Sequence, residues 1–599
     1  MTMNMKNITR KLGVLLLFVA SACQLDNDTV NPSTLTPASA DPDLLLNAVQ
    51  LNFGTGFFNG AATNVDVLVR MQAMTGGYRY PTAFTQSSQN FVWQQAYQAV
   101  LINTKILIPI AQSKKLTTHV AMAKIFEAYT YLTLVDLYND VPQSEALLGV
   151  KFDPKADNAS DVYAYAIGLL NDARTELTKT GTDAGTNIAA GLDIYYGGVR
   201  ANWVALANSL ELKAWLNIRS LPSRAAEADA KITTLLTSNL IDNPDGSENF
   251  TFKYGTATVP NSRHPLYDNY YGLAAGTAGG FLSNYYMNEL FSGNGVQDPR
   301  WRYYFYRQVG SVDPIKAGFD PKALGCSAGA IPQHYVSAGA VFCNFEPGFY
   351  GRDHGDASGV NPVGPVLTCT GIYPAGGRPD NNTAVSPTPY NVPAKRGDGA
   401  NGAGIEPIFM SFFTDFMKAE ILGRRGDVAG ARAALNTAII NSIDFTKKFA
   451  DGKVQSVTIL PWSSTAWVKA LGVPMDGVNI NCGTAPNPIT PAYQQCRFNQ
   501  LVNNYLNAAL AKFDAASSKL DVIGREFYIS INGNGLEAYN LYRRTGAPRN
   551  LQPTVQLGAG VWTRAMPYPA TFSTLAGGAV KDNESVNKVF WDGNPETLN

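Results

Sequence analysis

The sequence predicts a mainly α-helical protein in which a large irregular segment interrupts a helical scaffold. In the stretches from Val92 to Ile110 and from His119 to Pro142, apolar residues recur every three or four positions, the spacing of a helix with one buried face. From about residue 249 to 404 this periodicity is lost, and Gly, Pro, Asn and aromatic residues become dense. We therefore assign residues 41–248 and 405–599 to the scaffold and residues 249–404 to a loop-rich region.

The first 22 residues have the pattern of a secretion signal. Basic residues precede an apolar run, Leu12 to Ala20, that is too short to span a bilayer. Small residues then lead into Cys23, as signal cleavage requires. The sequence ASAC resembles a bacterial lipobox, in which the cysteine becomes the first mature residue and carries acyl chains such as palmitate. The alternative is an ordinary secretion signal in which Cys23 is incidental.

Residues 23–40 are predicted to form a flexible tether. They are rich in Asn, Asp, Ser, Thr and Pro and offer little apolar surface to bury. Such a segment would hold the folded domain, residues 41–599, away from a lipid anchor at Cys23.

The helical scaffold is predicted from caps and periodicity. Asp41 and Pro42 are typical of a helix start, and Asn139 and Pro142 of a helix end. Further helical patterns are SDVYAYAIGLLNDARTELTK, VRANWVALANSLELKAWLNIRS, FMKAEILGRRGD, VAGARAALNTAIINSIDF and LEAYNLYRRTG. Short successive helices of this kind indicate stacked helical hairpins. Trp93, Trp203 and Trp215 lie on apolar stripes and are expected in the core.

Composition argues against several classes of partner and cofactor. The chain has 47 basic and 47 acidic residues, so it has no overall basic field that would attract nucleic acid. Four histidines and the absence of CxxC and HExxH motifs argue against a zinc site, and we expect neither a metal nor a cofactor. Asp and Asn are plentiful in the loops, which leaves structural calcium open, but no EF-hand pattern is present.

Five cysteines remain if Cys23 is lipidated, so at least one of them is unpaired. Cys482 and Cys496 flank a Pro-rich loop, and a disulfide between them would stabilise the fold by about 3 kcal/mol in the chain-entropy model. We predict this pairing in an oxidising compartment.

Two motifs match functional patterns without the required context. GCSAG at residues 325–329 fits GxSxG, but neither a buried strand before it nor a helix after it is predicted. GDGANG at residues 397–402 fits GxGxxG, but it follows no strand. Arg543 and Arg544 are expected to fix a helix end rather than to bind ligand. For Arg352, Asp353 and His354 in YGRDHGD, a ligand contact and a polar turn are equally open.

Several longer motifs occur in a fixed order along nearly the whole mature chain. They are IFEAYTYLTLVDLYNDVPQSEAL, NWVALANSLELKAWLNIR, FLSNYYMNELFSGNGVQDPRWRYYF, FMKAEILGRRGDVAGARAALNTAI and LEAYNLYRRTGAPRNLQPT. Together they resemble the SusD/RagB family of nutrient-binding outer-membrane lipoproteins of Bacteroidetes. Asn139 and Asp140 stand where many members have Gly-Asp, and Asn also tolerates left-handed conformations.

The resemblance implies a SusD-like fold of tetratricopeptide-like helix pairs, lipid-anchored in the outer membrane and facing the cell exterior. It also implies a partner, a SusC-like TonB-dependent transporter that imports the captured nutrient. Members are binders rather than enzymes, so we expect no catalytic residue. The expected ligand is an oligosaccharide. A peptide or another nutrient is the alternative, and a surface glycan-degrading enzyme is the less favoured one.

Two loop regions have the composition of a sugar site, in which an aromatic face stacks on the ring and polar groups bind its hydroxyls. The first is GGYRYP, and the second runs from RHPLYDNYYG to DPRWRYY. The predicted ligand-binding residues are Tyr78, Arg79, Tyr80, Tyr267, Asn269, Tyr270, Tyr271 and Trp301. Ordinary packing is the alternative for each tyrosine.

Overall fold

A computed structural model of the protein describes residues 40–75, 77–149, 153–272, 281–309, 330–343, 348–356, 366–380, 393–454, 490–575 and 588–594. The predicted signal peptide and most of the tether, with Cys23, lie outside these residues, as do GCSAG and Cys482. The fold is mainly helical, as predicted.

The first scaffold segment begins where the sequence predicts. The Asp41 side chain accepts a hydrogen bond from the amide of Asp43 (2.8 Å) and caps the first helix. The helices in order are α1 (Pro42–Leu51), α2 (Asn59–Asp66), α3 (Tyr80–Ala83), α4 (Asn90–Gln94), α5 (Ile102–Ser113), α6 (Thr117–Tyr138), α7 (Ala159–Thr178), α8 (Arg200–Ile218) and α9 (Ala225–Leu235). π-helical turns, Asn52–Phe58 and Gln95–Leu101, precede α2 and α5, and 3₁₀ turns lie at Ser87–Gln89, Gly181–Ala184 and Pro222–Arg224.

Helices α5 to α9 form the stacked hairpins that the periodicity predicts. Each packs against the next along the chain, and α6 also contacts α1. Nearly every residue of α6 is buried, because it is covered by neighbours on several sides. It ends at Tyr138, where Asn139 adopts φ = 67°.

The loop-rich region starts and finishes on one small sheet. Strand β1 (Phe250–Lys253) pairs antiparallel with β4 (Ile405–Phe409), and Lys253 lies opposite Ile405. Between them lie α10 (Pro265–Tyr267), the π-helical turn Asp268–Gly272, α11 (Asn284–Ser292), α12 (Trp301–Tyr304), β2 (Phe305–Tyr306), α13 (Gln333–Ala338) and β3 (Cys369–Thr370). Strands β2 and β3 pair antiparallel. The β1–β4 ladder therefore joins the two ends of this region beside the scaffold.

The second scaffold segment packs onto the first. Its helices are α14 (Ser411–Arg424), α15 (Val428–Asp451), α16 (Pro491–Ala515), α17 (Lys519–Ser530), α18 (Gly535–Thr545) and α19 (Ala570–Leu575). Helices α14 and α15 form a hairpin, α17 fills the space between α14, α16 and α18, and α18 contacts α2. The scaffold is thus assembled from both halves of the chain.

The core is rich in aromatic rings. One connected cluster, in which Tyr195 and Phe250 stack at 4.4 Å, consists of Phe53, Phe126, Tyr195, Trp203 and Phe250. Trp93, Trp203 and Trp215 are all buried, which confirms their assignment to the core.

The cysteines within the described residues are in two states. Cys369 is free and buried, in agreement with the odd count. Cys343 and Cys496 are disulfide-bonded. Since Cys482 lies outside the described residues, its pairing with Cys496 stays a prediction. Within the described residues, no helix is both long and apolar enough to cross a membrane.

Candidate functional site

The loop before α3 presents the first predicted binding residues. Tyr78 is half-buried and Arg79 is exposed, whereas Tyr80 is completely buried. The Tyr80 amide donates to the carbonyl of Ala559 (2.9 Å), and its hydroxyl lies 3.2 Å from both Arg70 Nη2 and His354 Nε2. Tyr80 therefore anchors the loop and leaves the two preceding side chains at the surface.

Two further loops meet the chain at Tyr78. The Gly355 amide donates to the carbonyl of Met74 (3.0 Å), and the Val555 amide donates to that of His354 (2.9 Å). Gly355 has φ = 73°, and a Cβ there would lie 3.1 Å from the Thr554 side chain and 3.5 Å from Tyr78 Cα. We call residues 77–79, 354–356 and 553–557 the Tyr78 surface.

Helix α13 borders the Tyr78 surface. His334 Nε2 lies 2.9 Å from the Thr554 carbonyl oxygen, and the Tyr335 hydroxyl donates to the carbonyl of Pro553 (2.7 Å). Ile331 and Val336, next to and within this helix, are more than half exposed, and Leu557 is 75% exposed. Aliphatic side chains therefore accompany Tyr78 and Arg79 in this part of the molecule.

The YGRDHGD segment forms a polar turn beneath this surface. Arg352, Asp353 and His354 are buried. The Asp353 carboxylate accepts hydrogen bonds from the Cys343 amide (2.7 Å), from Asn284 and from Gln552, while burial raises the pKa of Asp353 to about 6. Burial lowers the pKa of His354 well below its usual value, which keeps the imidazole neutral. Of the two interpretations of this segment, its buried hydrogen bonds support the polar turn.

The tyrosines of the second predicted region pack inside the loop-rich region. Tyr267 and Tyr271 are buried and stack on each other with centroids 4.7 Å apart and planes 3° apart. The Tyr267 hydroxyl accepts from the Gly397 amide (3.0 Å), and that of Tyr271 donates to the Thr370 carbonyl (2.8 Å). Tyr270 is buried and Asn269 is half-buried.

Trp301 is also covered by neighbouring side chains. The guanidinium groups of Arg302 and Arg307 lie 5.1 and 4.9 Å from its ring centroid, and the Phe349 ring lies 5.5 Å away. Only 2% of Trp301 is exposed, so its ring offers no free face for stacking. A ligand role for Trp301 and the buried tyrosines stays a prediction, whereas the structure leaves Tyr78 and Arg79 accessible.

Arg543 and Arg544 have the structural role that the sequence favours. Arg544 makes paired hydrogen bonds of 3.0 to 3.1 Å with the Glu420 carboxylate, and both side chains are buried. Arg543 donates to the carbonyl of Arg564 and to Asn540, with its guanidinium stacked over Tyr539. Neither guanidinium is placed to contact a ligand at the surface.

Sequence reasoning did not find the contribution of Gly355, Thr554 and Leu557 to the Tyr78 surface. These residues lie hundreds of positions from Tyr78, and local patterns do not show which distant loops meet. A signal was present in LQPTVQLGAG, whose Pro and Gly residues predict an exposed loop. Among the described residues, no group of three or more His, Cys, Asp or Glu side chains is placed to hold a metal ion.

Comparisons with known proteins agree with the fold. The family model described as "Starch-binding associating with outer membrane", SusD-like, matches residues 35–339, half of the chain. No curated protein sequence matches the chain.

Solved structures extend the similarity over the rest of the chain. A chitin-binding protein has a TM-score of 0.59 at 19% identity, covering 92% of this chain and 100% of its own. A SusD/RagB family protein from Bacteroides thetaiotaomicron has a TM-score of 0.59 at 17% identity, covering 93% and 100%. A SusD homologue from Bacteroides fragilis has a TM-score of 0.57 at 14% identity, covering 92% and 99%. At these identities the structures show a common fold, and with the match of the family model they establish that this chain belongs to the SusD-like family.

Proposed function

We propose that the protein is a cell-surface nutrient-binding lipoprotein that captures an oligosaccharide and delivers it to a SusC-like TonB-dependent outer-membrane transporter. The observation that carries the proposal is the family match over half of the chain, since this family is described as starch-binding and associated with the outer membrane. The similar chitin-binding structure also supports a carbohydrate ligand. The protein acts as a binder and not as an enzyme.

The Tyr78 surface is the favoured ligand contact. A half-exposed tyrosine ring can stack on the C–H face of a sugar, and an exposed guanidinium can donate to several hydroxyls. Tyr80, Arg70 and His354 fix the loop from beneath, so Tyr78 and Arg79 are positioned before the ligand arrives. Such preorganisation reduces the entropy lost on binding.

Calorimetry on the mature chain with Cys23→Ser tests the ligand class and the site together. Malto-oligosaccharides, chito-oligosaccharides and a mixed peptide set are the probes. We expect saturable heat with one oligosaccharide class and at least a tenfold loss of affinity in Tyr78→Ala, about 1.4 kcal/mol. Phe91→Ala is the control, because Phe91 is 53% exposed on α4, outside the Tyr78 surface.

The possible outcomes separate the parts of the proposal. Binding heat with peptides alone would show that the ligand is a peptide and not an oligosaccharide, while the proposed role in nutrient capture would stand. If Tyr78→Ala and Arg79→Ala leave oligosaccharide binding unchanged, the binding site lies outside the Tyr78 surface. Release of shorter chains from the probe would show an enzyme and contradict the proposal.

The anchor and the transporter need separate experiments. Metabolic labelling with a palmitate analogue should mark the wild-type protein and not Cys23→Ser. Protease treatment of intact cells should degrade the anchored protein, since it faces outward. Affinity purification from outer membranes should recover a TonB-dependent barrel, and its absence would contradict delivery through such a partner.

A further inference from the structure

A cavity of about 310 Å³ lies between α5, α6 and α7, in the helical hairpins. Leu101, Ile108 and Leu169 contribute apolar walls, and Tyr131 and Tyr165 contribute aromatic ones. A volume of this size is at the lower end of the range of about 300–1,000 Å³ typical of small-molecule sites. None of its lining residues belongs to the Tyr78 surface.

Polar groups of opposite charge converge in the cavity. The Lys105 ammonium donates to the Ala146 carbonyl (2.9 Å), which uses one of its three donors. The Tyr165 hydroxyl donates to the Glu127 carboxylate (2.8 Å), and Lys124 pairs with Asp172 at 2.7 Å. These ion pairs and hydrogen bonds hold the polar lining in place while leaving donor and acceptor capacity for an occupant.

The Tyr131 hydroxyl is a free polar group in the cavity lining. Tyr131 is only 4% exposed and its hydroxyl makes no hydrogen bond with the described residues, yet this oxygen is not one of their completely enclosed polar atoms. Water can therefore reach it, and an occupant that displaces this water must offer a hydrogen-bonding group in its place. An occupant with hydroxyl groups would do so.

An aromatic ring stands at the mouth of the cavity. Tyr165 is 37% exposed, and its ring meets that of Tyr131 edge to face at 5.8 Å. Its hydroxyl is already held by Glu127, so the ring is fixed in orientation. A fixed, partly open ring of this kind suits the C–H face of a saccharide.

The charges exclude a strongly ionic occupant. Lys105 and Lys124 face Glu127, and Asp172 balances Lys124, so neither sign is in excess. Burial raises the pKa of Glu127, while the hydrogen bond from Tyr165 and the charges of Lys105 and Lys124 oppose this shift. An apolar side chain from a protein partner would cover these polar groups without pairing them.

We infer that this cavity is a second binding site, for a neutral polyhydroxylated ligand of the size of a mono- or disaccharide. The ligand rests on Tyr165, inserts hydroxyls toward Tyr131, Lys105 and Glu127, and packs against Leu169. The site does not depend on the ligand proposed for the Tyr78 surface.

Saturation-transfer NMR and calorimetry on the mature Cys23→Ser chain test the inference, with maltose and N,N′-diacetylchitobiose as neutral probes. Glucuronate and glutamate are the charged comparators. Leu169→Trp fills the cavity, Tyr131→Phe removes one hydroxyl, and Tyr78→Ala reports binding at the other surface. Thermal melts show whether each variant folds, and Tyr131→Phe keeps the test valid should Leu169→Trp fail to fold.

We expect a neutral probe still to bind Tyr78→Ala, with an affinity that falls about 3- to 10-fold when Tyr131→Phe is added, the effect of one hydrogen bond. This remaining binding should vanish when Leu169→Trp is added to Tyr78→Ala. Binding that depends on Tyr78 alone would overturn the inference. So would preference for a charged comparator, or the lack of any saturable signal up to about 10 mM probe, a limit corresponding to very weak binding.

Discussion

At the scale of single residues, the buried charges decide how the protein responds to mutation. Arg544 and Glu420 are both almost completely inaccessible, and Arg544 also donates to Asn217 (2.9 Å). Water cannot solvate either ion if its partner is removed, so the pair behaves differently from the exposed pair of Arg432 and Asp514.

Replacing Arg544 with Ala should lower the free energy of unfolding by about 3 kcal/mol, because the buried Glu420 carboxylate then keeps only Arg424 (2.9 Å) as its cationic partner. Chemical denaturation measures this loss. Arg432→Ala is the matched control and should leave the unfolding midpoint almost unchanged. Equal effects of the two substitutions would show that burial does not govern these pairs.

Glu406 should make stability depend on pH. Its carboxyl accepts from Asn59 (2.8 Å), and burial raises its pKa to about 8. An unfolded glutamate titrates near pH 4.3, so the folded state retains a proton that the unfolded state has lost. Stability should therefore fall between pH 5 and 8 by roughly 1.4 kcal/mol per pH unit from this group.

The substitution Glu406→Gln removes this titration but preserves a hydrogen-bond acceptor. Urea unfolding at several pH values should show a smaller decline for the variant. Some decline should remain, because burial also raises the pKa of Asp66, to about 7. An unchanged slope in Glu406→Gln would contradict the assignment.

At the scale of elements, the end of α6 shows how one residue closes a helix. Asn139 has φ = 67° and ψ = −105°, a conformation that glycine tolerates best, and its side chain accepts from the Phe590 amide (2.6 Å). One residue thus ends the helix and attaches the C-terminal chain to it.

Asn139→Val should destabilise the protein by about 1–3 kcal/mol, since a branched side chain strains at positive φ and the Phe590 amide loses its acceptor. Asn139→Gly should lose less stability, because glycine relieves the strain and gives up only the side-chain hydrogen bonds with Phe590 and Asp140. Thermal unfolding of the two variants gives the comparison. A larger loss of stability in Asn139→Gly than in Asn139→Val would show that backbone strain at this position does not determine the effect of the substitution.

The elements also show what a sequence can predict. Asp41, Asn139 and the tryptophans on apolar stripes follow local rules, and the structure confirms their caps and burial. Burial of Tyr267 and Tyr271 depends on contacts with Gly397 and Thr370, about a hundred or more positions away, which no local pattern reveals. Tyrosine is equally suited to cores and binding surfaces, so its type alone could not decide.

At the scale of the whole molecule, distant segments share one buried network. The Asp136 carboxylate on α6 accepts from Asn540 (2.7 Å) on α18 and from Trp591 (2.9 Å) near the C-terminus. Lys213 on α8 pairs with Glu537 on α18 at 2.7 Å. Buried polar groups of each scaffold segment are therefore paired by side chains of the other segment.

Residues 41–248 should not fold stably alone, since removing the second segment exposes α6, takes Asn540 and Trp591 from Asp136, and takes Glu537 from Lys213. The isolated fragment should bind a hydrophobic dye and melt without a cooperative transition. The mature chain, as control, should unfold cooperatively. A cooperative melt of the fragment would show that the first segment is an independent domain.

The buried Cys369 thiol is a natural probe of local opening in the loop-rich region. It lies on β3, where burial raises its pKa far above the usual range of a thiol, so it stays protonated and unreactive while covered. An alkylating reagent can modify it only during openings of the β2–β3 region. The rate of thiol labelling would therefore measure how often this part of the loop-rich region opens locally. A ligand that holds the region closed would lower that rate.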